Sequence, residues 1–258
     1  MTRRVRMTLL WVGLLGLAAF FVLAWLPLPP FGGTWHPYRD LAVTAAYAHS
    51  TANVISSVNF DQRGFDTFGE ESILVASIAG VAVLLRAGHE EERVKPDDRG
   101  RVLDSTRVLV YIFLPLTLLI GVDVVTHGAV TPGGGFQGGV VLATGLHLLY
   151  VGGRFPLLER FRPLDLFPPV ESAGLLLYAA IGLAGLALGG SFLANVIPQG
   201  ALADLVSSGT VPLLSVAVGM AVVSSVILLL AHFLDQALVI REKDPAPSDD
   251  APERGAAA

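Results

Sequence analysis

The sequence predicts an all-α integral membrane protein of six transmembrane helices, arranged as two plus four. Three observations lead there. Apolar residues make up 53% of the 258 and charged residues only 15%, against about 25% charged in an ordinary soluble domain. The charge is gathered in short islands, and the runs between them are long enough to cross a bilayer, which takes about 20 apolar residues. Finally, the basic residues alternate from side to side once six spans are drawn.

The six spans are Met7–Leu28, Gly69–Ala87, Val108–Val125, Gly135–Gly152, Glu171–Gly190 and Val211–Leu234. The first follows the basic "TRRVR". Its apolar run exceeds the 7–15 residues of a signal-peptide core and it ends in "PLPP" with no A-x-A-like site, so it reads as a retained anchor. With the N-terminus inside and six alternating helices, all of the 17 Lys and Arg residues except Arg39 and Arg63 fall on the inner side. That bias sets orientation in membrane proteins. It predicts a multi-pass protein of the cell membrane with both termini cytoplasmic.

Four regions follow. Residues 1–88 form a two-helix membrane segment with a long outer loop, and 89–106 a charged cytoplasmic linker. Residues 107–240 form a four-helix membrane domain, and 241–258 a tail of disorder-type composition. There are no cysteines, so disulfides, iron–sulfur clusters and cysteine-bound zinc are excluded within the chain. No basic face suits a nucleic acid. No nucleophile elbow, zinc-protease motif or paired catalytic carboxylates appear. The expectation is therefore no enzyme, no cofactor and no metal.

The most unusual stretch is "HGAVTPGGGFQGGVV" (127–141), with Gly133, Gly134, Gly135, Gly138 and Gly139 around Phe136. Pro132 suits the first turn of a helix. Gly134 with Gly138 and Gly135 with Gly139 are small-xxx-small pairs, which let membrane helices approach closely. Gly135, Gly139, Ala143 and His147 recur every fourth residue and make one stripe. Two readings stand open: a packing surface with a tight turn, or helix-start N–H groups that shape an ion or water path.

Ionisable residues within a membrane often mark ion paths. The candidates are Asp66, Glu70, Glu71, Asp123, His127 and His147. Asp123 and His127 share a helix face four residues apart, as a proton relay or a local hydrogen bond. His147 is either a satisfied buried histidine or part of a hydrated path. Thr67-x-x-Glu70 fits a capping box with Thr67 as N-cap. The alternative for Asp66, Glu70 and Glu71 is a cation-attracting outer vestibule.

These residues carry a resemblance. From about Arg107 to Leu234 the chain is similar to the B subunit (MnhB/MrpB family) of the multisubunit Mrp-type sodium/proton antiporters. The glycine–phenylalanine run is its most specific motif, supported by "FLPLTLLIGVD" (113–123), "ESAGLLLYAAIGLAGL" (171–186), "GGSFLANVIPQG" (189–200) and "SGTVPLLSVAVGM" (208–220). "NVISSVNFDQRGFDTFGEESILVASIAGVAVLL" (53–85) resembles the E-type segment that closes the antiporter's A-type polypeptide at its C-terminal end. A similar piece is found as a small separate protein in membrane-bound hydrogenases. Its D-x-R-G-x-D-T-x-G-E pattern falls on Asp61, Arg63, Gly64, Asp66, Thr67, Gly69 and Glu70.

The resemblance implies an E–B fusion that serves within the membrane part of a monovalent cation (sodium)/proton antiporter. Its partners would be A-, C- and D-type membrane subunits, the lipid bilayer, sodium ions and protons. The alternative it leaves open is the same module in a membrane-bound hydrogenase or a complex-I-like redox-driven ion pump.

Overall fold

The computed structural model describes residues 3–28, 32–85, 92–93, 102–152, 165–234 and 238–239. Most of the inner basic islands, part of the 89–106 linker, Asp235 and the 241–258 tail lie outside the described residues. Among those described there are eight α-helices: α1 (Arg3–Trp25), α2 (Pro37–Ala48), α3 (Val54–Ser57), α4 (Gly64–Leu84), α5 (Asp104–Thr126), α6 (Gly135–Val151), α7 (Phe167–Gly189) and α8 (Val211–Leu234). A π turn, Val58–Gln62, joins α3 to α4, and a two-residue antiparallel pairing links Glu92–Arg93 (β1) with Leu238–Val239 (β2).

Five helices, α1, α4, α5, α7 and α8, are long and apolar enough to cross a membrane. With α6, a shorter apolar helix of 17 residues, they define a multi-pass membrane protein. The chain divides into two compact units, Met1–Leu41 and Ala42–Ala258. This break falls well ahead of the composition change near residue 88. In the first unit, α1 has no buried residue at all. Trp11, Phe20, Phe21 and Trp25 are all exposed, as expected of a helix apolar on every side whose solvent is lipid or another protein of a complex.

The second unit is built round α8. Buried Val211, Leu214, Ala217, Val218 and Val222 of α8 share a cluster with Phe60, Ala129, Tyr178 and Leu193. Deeper along α8, Ile227 and Leu228 meet Ile78 of α4, Ala143 of α6 and Phe167 of α7. Helix α4 therefore packs with the helices of the later segment. Tyr178 of α7 reinforces this by donating to the Gly64 carbonyl at 2.8 Å and stacking on Phe68 at 5.6 Å between ring centroids.

Lipid gives helices no hydrophobic reason to associate, so close van der Waals contact has to supply it. The glycines provide that contact. A Cβ on Gly135 would strike the Ser215 carbonyl and lie 2.8 Å from the Gly219 nitrogen, and one on Gly139 would lie 2.9 Å from Val222 Cβ. Gly174 of α7 meets the same helix from another side, with the Ala217 carbonyl 2.6 Å from its would-be Cβ. Gly138 turns the other way and presses on Val125 and the Gly121 carbonyl of α5. Gly135 and Gly139 thus serve α8 while Gly138 closes the α5–α6 hairpin.

Three sequence expectations need correction. Helix α4 begins at Gly64, so Thr67 is not an N-cap; its hydroxyl donates instead to the Asn59 carbonyl at 2.7 Å, inside the fold. The chain enters α4 directly from the π turn, closed by Arg63 N to Val58 O at 2.8 Å, which leaves no free helix start at Thr67. Pro132 lies three residues before α6 rather than in its first turn. Gly134, with φ 141° and ψ −179°, adopts a conformation essentially confined to glycine, so the helix starts only at Gly135. Gly134 is the N-cap of α6, and its carbonyl accepts from the Gly138 amide at 2.9 Å. Helix α5 starts at Asp104, inside the expected linker. The Asp104 carboxylate favours a helix N-terminus, and it pairs with Arg107 at 3.4 Å.

Gly135→Ala is expected to lower the thermal midpoint of the detergent-solubilised protein, by an overpacking cost of about 1–3 kcal/mol. Gly80→Ala, where a Cβ meets nothing within 4 Å, is expected to leave it unchanged or slightly raised. A thermal unfolding comparison of the two variants checks this.

Candidate functional site: an acid-lined cavity at the glycine loop

The turn between α5 and α6 is held from outside by Asn53. Its Oδ1 caps α3, accepting from the Ile55 and Ser56 amides at 3.1 and 3.4 Å. Its Nδ2 donates to the carbonyls of Gly128 (2.7 Å) and Thr131 (2.9 Å). The Asn53 backbone amide donates to the Ala129 carbonyl at 3.0 Å, and the Ser56 hydroxyl donates to the Gly128 carbonyl at 2.5 Å. A turn dense in glycine has few side chains of its own to satisfy its carbonyls. One asparagine on another segment supplies the donors.

This clamp brings two distant stretches together around one cavity of about 250 Å³. Ser56, Asn59, Phe60, Thr67, Glu70 and Glu71 line it from the first stretch. Gly133, Gly134, Phe136 and Gln137 line it from the second, with Val218 of α8 as its floor. None of these residues is basic. Glu70 is exposed. Glu71 is only 3% exposed, and its Oε2 has no hydrogen-bond partner among the described residues.

The other candidates lie elsewhere. Asp66 is exposed and pairs with Arg63. Asp123 and His127 pair through Oδ1 and Nδ1 at 2.9 Å, both substantially exposed, at the C-terminal end of α5. Neither lines the cavity. His147 lies 12 residues beyond the start of α6, about 18 Å along the axis, and does not line it either. Of the six ionisable candidates, the structure brings together Glu70 and Glu71.

Two further polar sites escape a reading of the sequence alone. His49 Nδ1 pairs with Asp61 Oδ2, and Asn195 Nδ2 donates to Asp61 Oδ1 at 3.2 Å. Asn195 also binds the Ser208 carbonyl and the Thr210 amide. These groups border a polar cavity of about 410 Å³. At the other end of α8, Ser225 donates to Glu171 in the protein interior. Glu171 adjoins a largely apolar cavity of about 290 Å³ lined also by Ile78, Pro168, Leu228 and His232. No sequence signal pairs His49 with Asp61. Asn53, an asparagine directly before the apolar Val54 and Ile55, carries the ordinary mark of an N-cap.

A bundle of long apolar helices, knit by glycine contacts to a central span and holding buried carboxylates, defines a multi-pass membrane protein. Residues 105–228 match the family model described as "Domain related to MnhB subunit of Na+/H+ antiporter". That match covers 124 of the 258 residues. It is 28% identical over 196 residues to the uncharacterized protein MJ1307 of Methanocaldococcus jannaschii, across 67% of this chain and 73% of that one. It is 28% identical over 167 residues to the probable A/B subunit of a K(+)/H(+) antiporter from Rhizobium meliloti, covering 55% of this chain but only 16% of that protein.

Among solved structures, it is similar to a chain of the membrane-bound sulfane sulfur reductase, an archaeal respiratory membrane complex. That match has a TM-score of 0.67 and 26% identity, over 89% of this chain and 98% of that one. It shares its fold with a chain of the Mrp complex from Dietzia sp. DQ12-45-1b, at TM-score 0.66 and 22% identity, over 95% of this chain and 27% of that one. Both of those chains belong to larger complexes.

Asn53→Ala is expected to destabilise the α5–α6 turn, at a cost of about 1–3 kcal/mol for carbonyls left without donors. Hydrogen exchange should accelerate at residues 128–138 while the inner half of α8 keeps its protection. Mass-spectrometric exchange on the detergent-solubilised protein reads both.

Proposed function

We propose that this chain is a membrane subunit of a multisubunit monovalent cation/proton antiporter, with sodium as the expected cation. It packs against A-, C- and D-type subunits and lines part of an ion path. It sits in the cell membrane with both termini cytoplasmic and performs no bond-making chemistry itself. One observation carries the reading: the E-type stretch around Glu70 and Glu71 and the glycine turn of the MnhB-related domain enclose a single acid-lined cavity. Two modules that each contribute one wall of a charged cavity have reason to be joined in one chain. The names of the Rhizobium relative and of the Dietzia complex support this reading.

A second reading has its own support. The chain of the sulfane sulfur reductase complex is covered over 98% of its length, so a protein of this kind equally suits a redox-driven ion pump. Purification of the chain from its native membrane in mild detergent, with mass spectrometry of what accompanies it, separates the two. Large antiporter-like subunits without redox proteins are expected, and vesicles of that assembly should exchange sodium or potassium for protons. Iron–sulfur or other redox subunits in the preparation would establish the second reading, and a stable, solitary chain that transports by itself would overturn both.

A further inference from the structure

We propose that the cavity at the glycine turn is a binding site for a dehydrated alkali-metal cation, with Glu71 as its charged ligand. The inference deepens the antiporter reading and rests on it for the consequence in transport, but the binding itself is a separate property.

The argument starts from where the hydroxyl hydrogens go. Thr67 Oγ1 donates to the Asn59 carbonyl at 2.7 Å and Ser56 Oγ donates to the Gly128 carbonyl at 2.5 Å. Each hydroxyl has one hydrogen, so neither can also donate to a carboxylate. Both residues line the cavity, where their oxygens can only accept. Glu71 lines it too, and its Oε2 has no hydrogen-bond partner among the described residues, in a residue 3% exposed. A buried polar atom in that position needs a counterpart. The walls offer no cation of their own, since none of the lining residues is basic, and Glu70 adds a second negative charge. Acceptor oxygens, a carboxylate and about 250 Å³ of space fit a cation better than an anion or an apolar guest.

The charge of the site sets the valence. Calcium takes six to eight oxygens and leans on several carboxylates, and magnesium keeps much of its water. Here one carboxylate is buried and the second is exposed. No group of three or more His, Asp or Glu suited to a metal ion occurs among the described residues. A sodium- or potassium-class ion, held by one carboxylate and neutral oxygens, matches that donor set.

The test is equilibrium titration of the detergent-purified native assembly with sodium chloride and potassium chloride, using choline chloride for the ionic-strength blank. Wild type is compared with Glu71→Gln, Glu71→Asp and Thr67→Val. Glu71→Gln is expected to lose one monovalent-cation site, or to weaken it at least about tenfold, and Glu71→Asp to weaken it less. Thr67→Val keeps the shape and charge but removes an acceptor, so about threefold weakening is expected, and this holds the proposal to account if Glu71→Gln fails to assemble. Unaltered alkali-cation binding in an assembled Glu71→Gln, or in Thr67→Val, would overturn the site, as would a preference for calcium or magnesium. The site and the transport reading fail separately. Loss of binding in Glu71→Gln from an assembly that exchanges no cations would keep the site and sink the antiporter reading. Vigorous exchange with unaltered binding would do the reverse.

Discussion

The fold depends on how closely other backbones can approach α8. Three would-be Cβ positions on neighbouring helices, at Gly135, Gly139 and Gly174, fall against α8 main-chain atoms or the stem of Val222. Such approaches replace the hydrophobic effect that lipid does not provide. They also account for small residues on α8 itself: Ser215, Ala217, Gly219 and Ala221 are the complementary surface. Serine is tolerated in such a seam where a partner is at hand. Ser215 donates to the Val125 carbonyl at 3.0 Å, which ties α8 to α5.

Cavity and packing draw on neighbouring residues of one turn. Gly133 and Gly134 carry backbone conformations that redirect the chain, and they also face the cavity. Gly135 and Gly139, immediately after, set the distance to α8. The position of the cavity wall is therefore fixed by helix contacts made by the same segment. Asn53 completes the arrangement from the segment before α3, so the charged wall and the glycine wall are registered by hydrogen bonds as well as by side-chain bulk.

Much of the fold is legible in the sequence. Long apolar runs between charge islands mark the spans because a bilayer demands unbroken length, and the i, i+4 glycines at 135 and 139 announce a close helix contact. The start of α4 escapes local pattern because Thr67 and Glu70 satisfy a capping motif that the π turn upstream makes unnecessary. The start of α6 escapes it because proline marks many helix starts, whereas here the φ of Gly134 decides. The site is half legible. Acidic residues near a span are easy to flag, but which of them shares a cavity depends on a contact between residues 75 positions apart. Local pattern carries no information about that. Glu71 separates from Asp66 and Asp123 only once burial is known.

The Asn53 bonds to Gly128 and Thr131, the Tyr178 bond to Gly64 and the contact of Ile78 with Ile227 all join the stretch before residue 85 to the stretch after residue 102 without using the peptide chain between them. The covalent connection is thus one tether among several. The two stretches are held in register by side-chain bonds and packing as well as by the backbone.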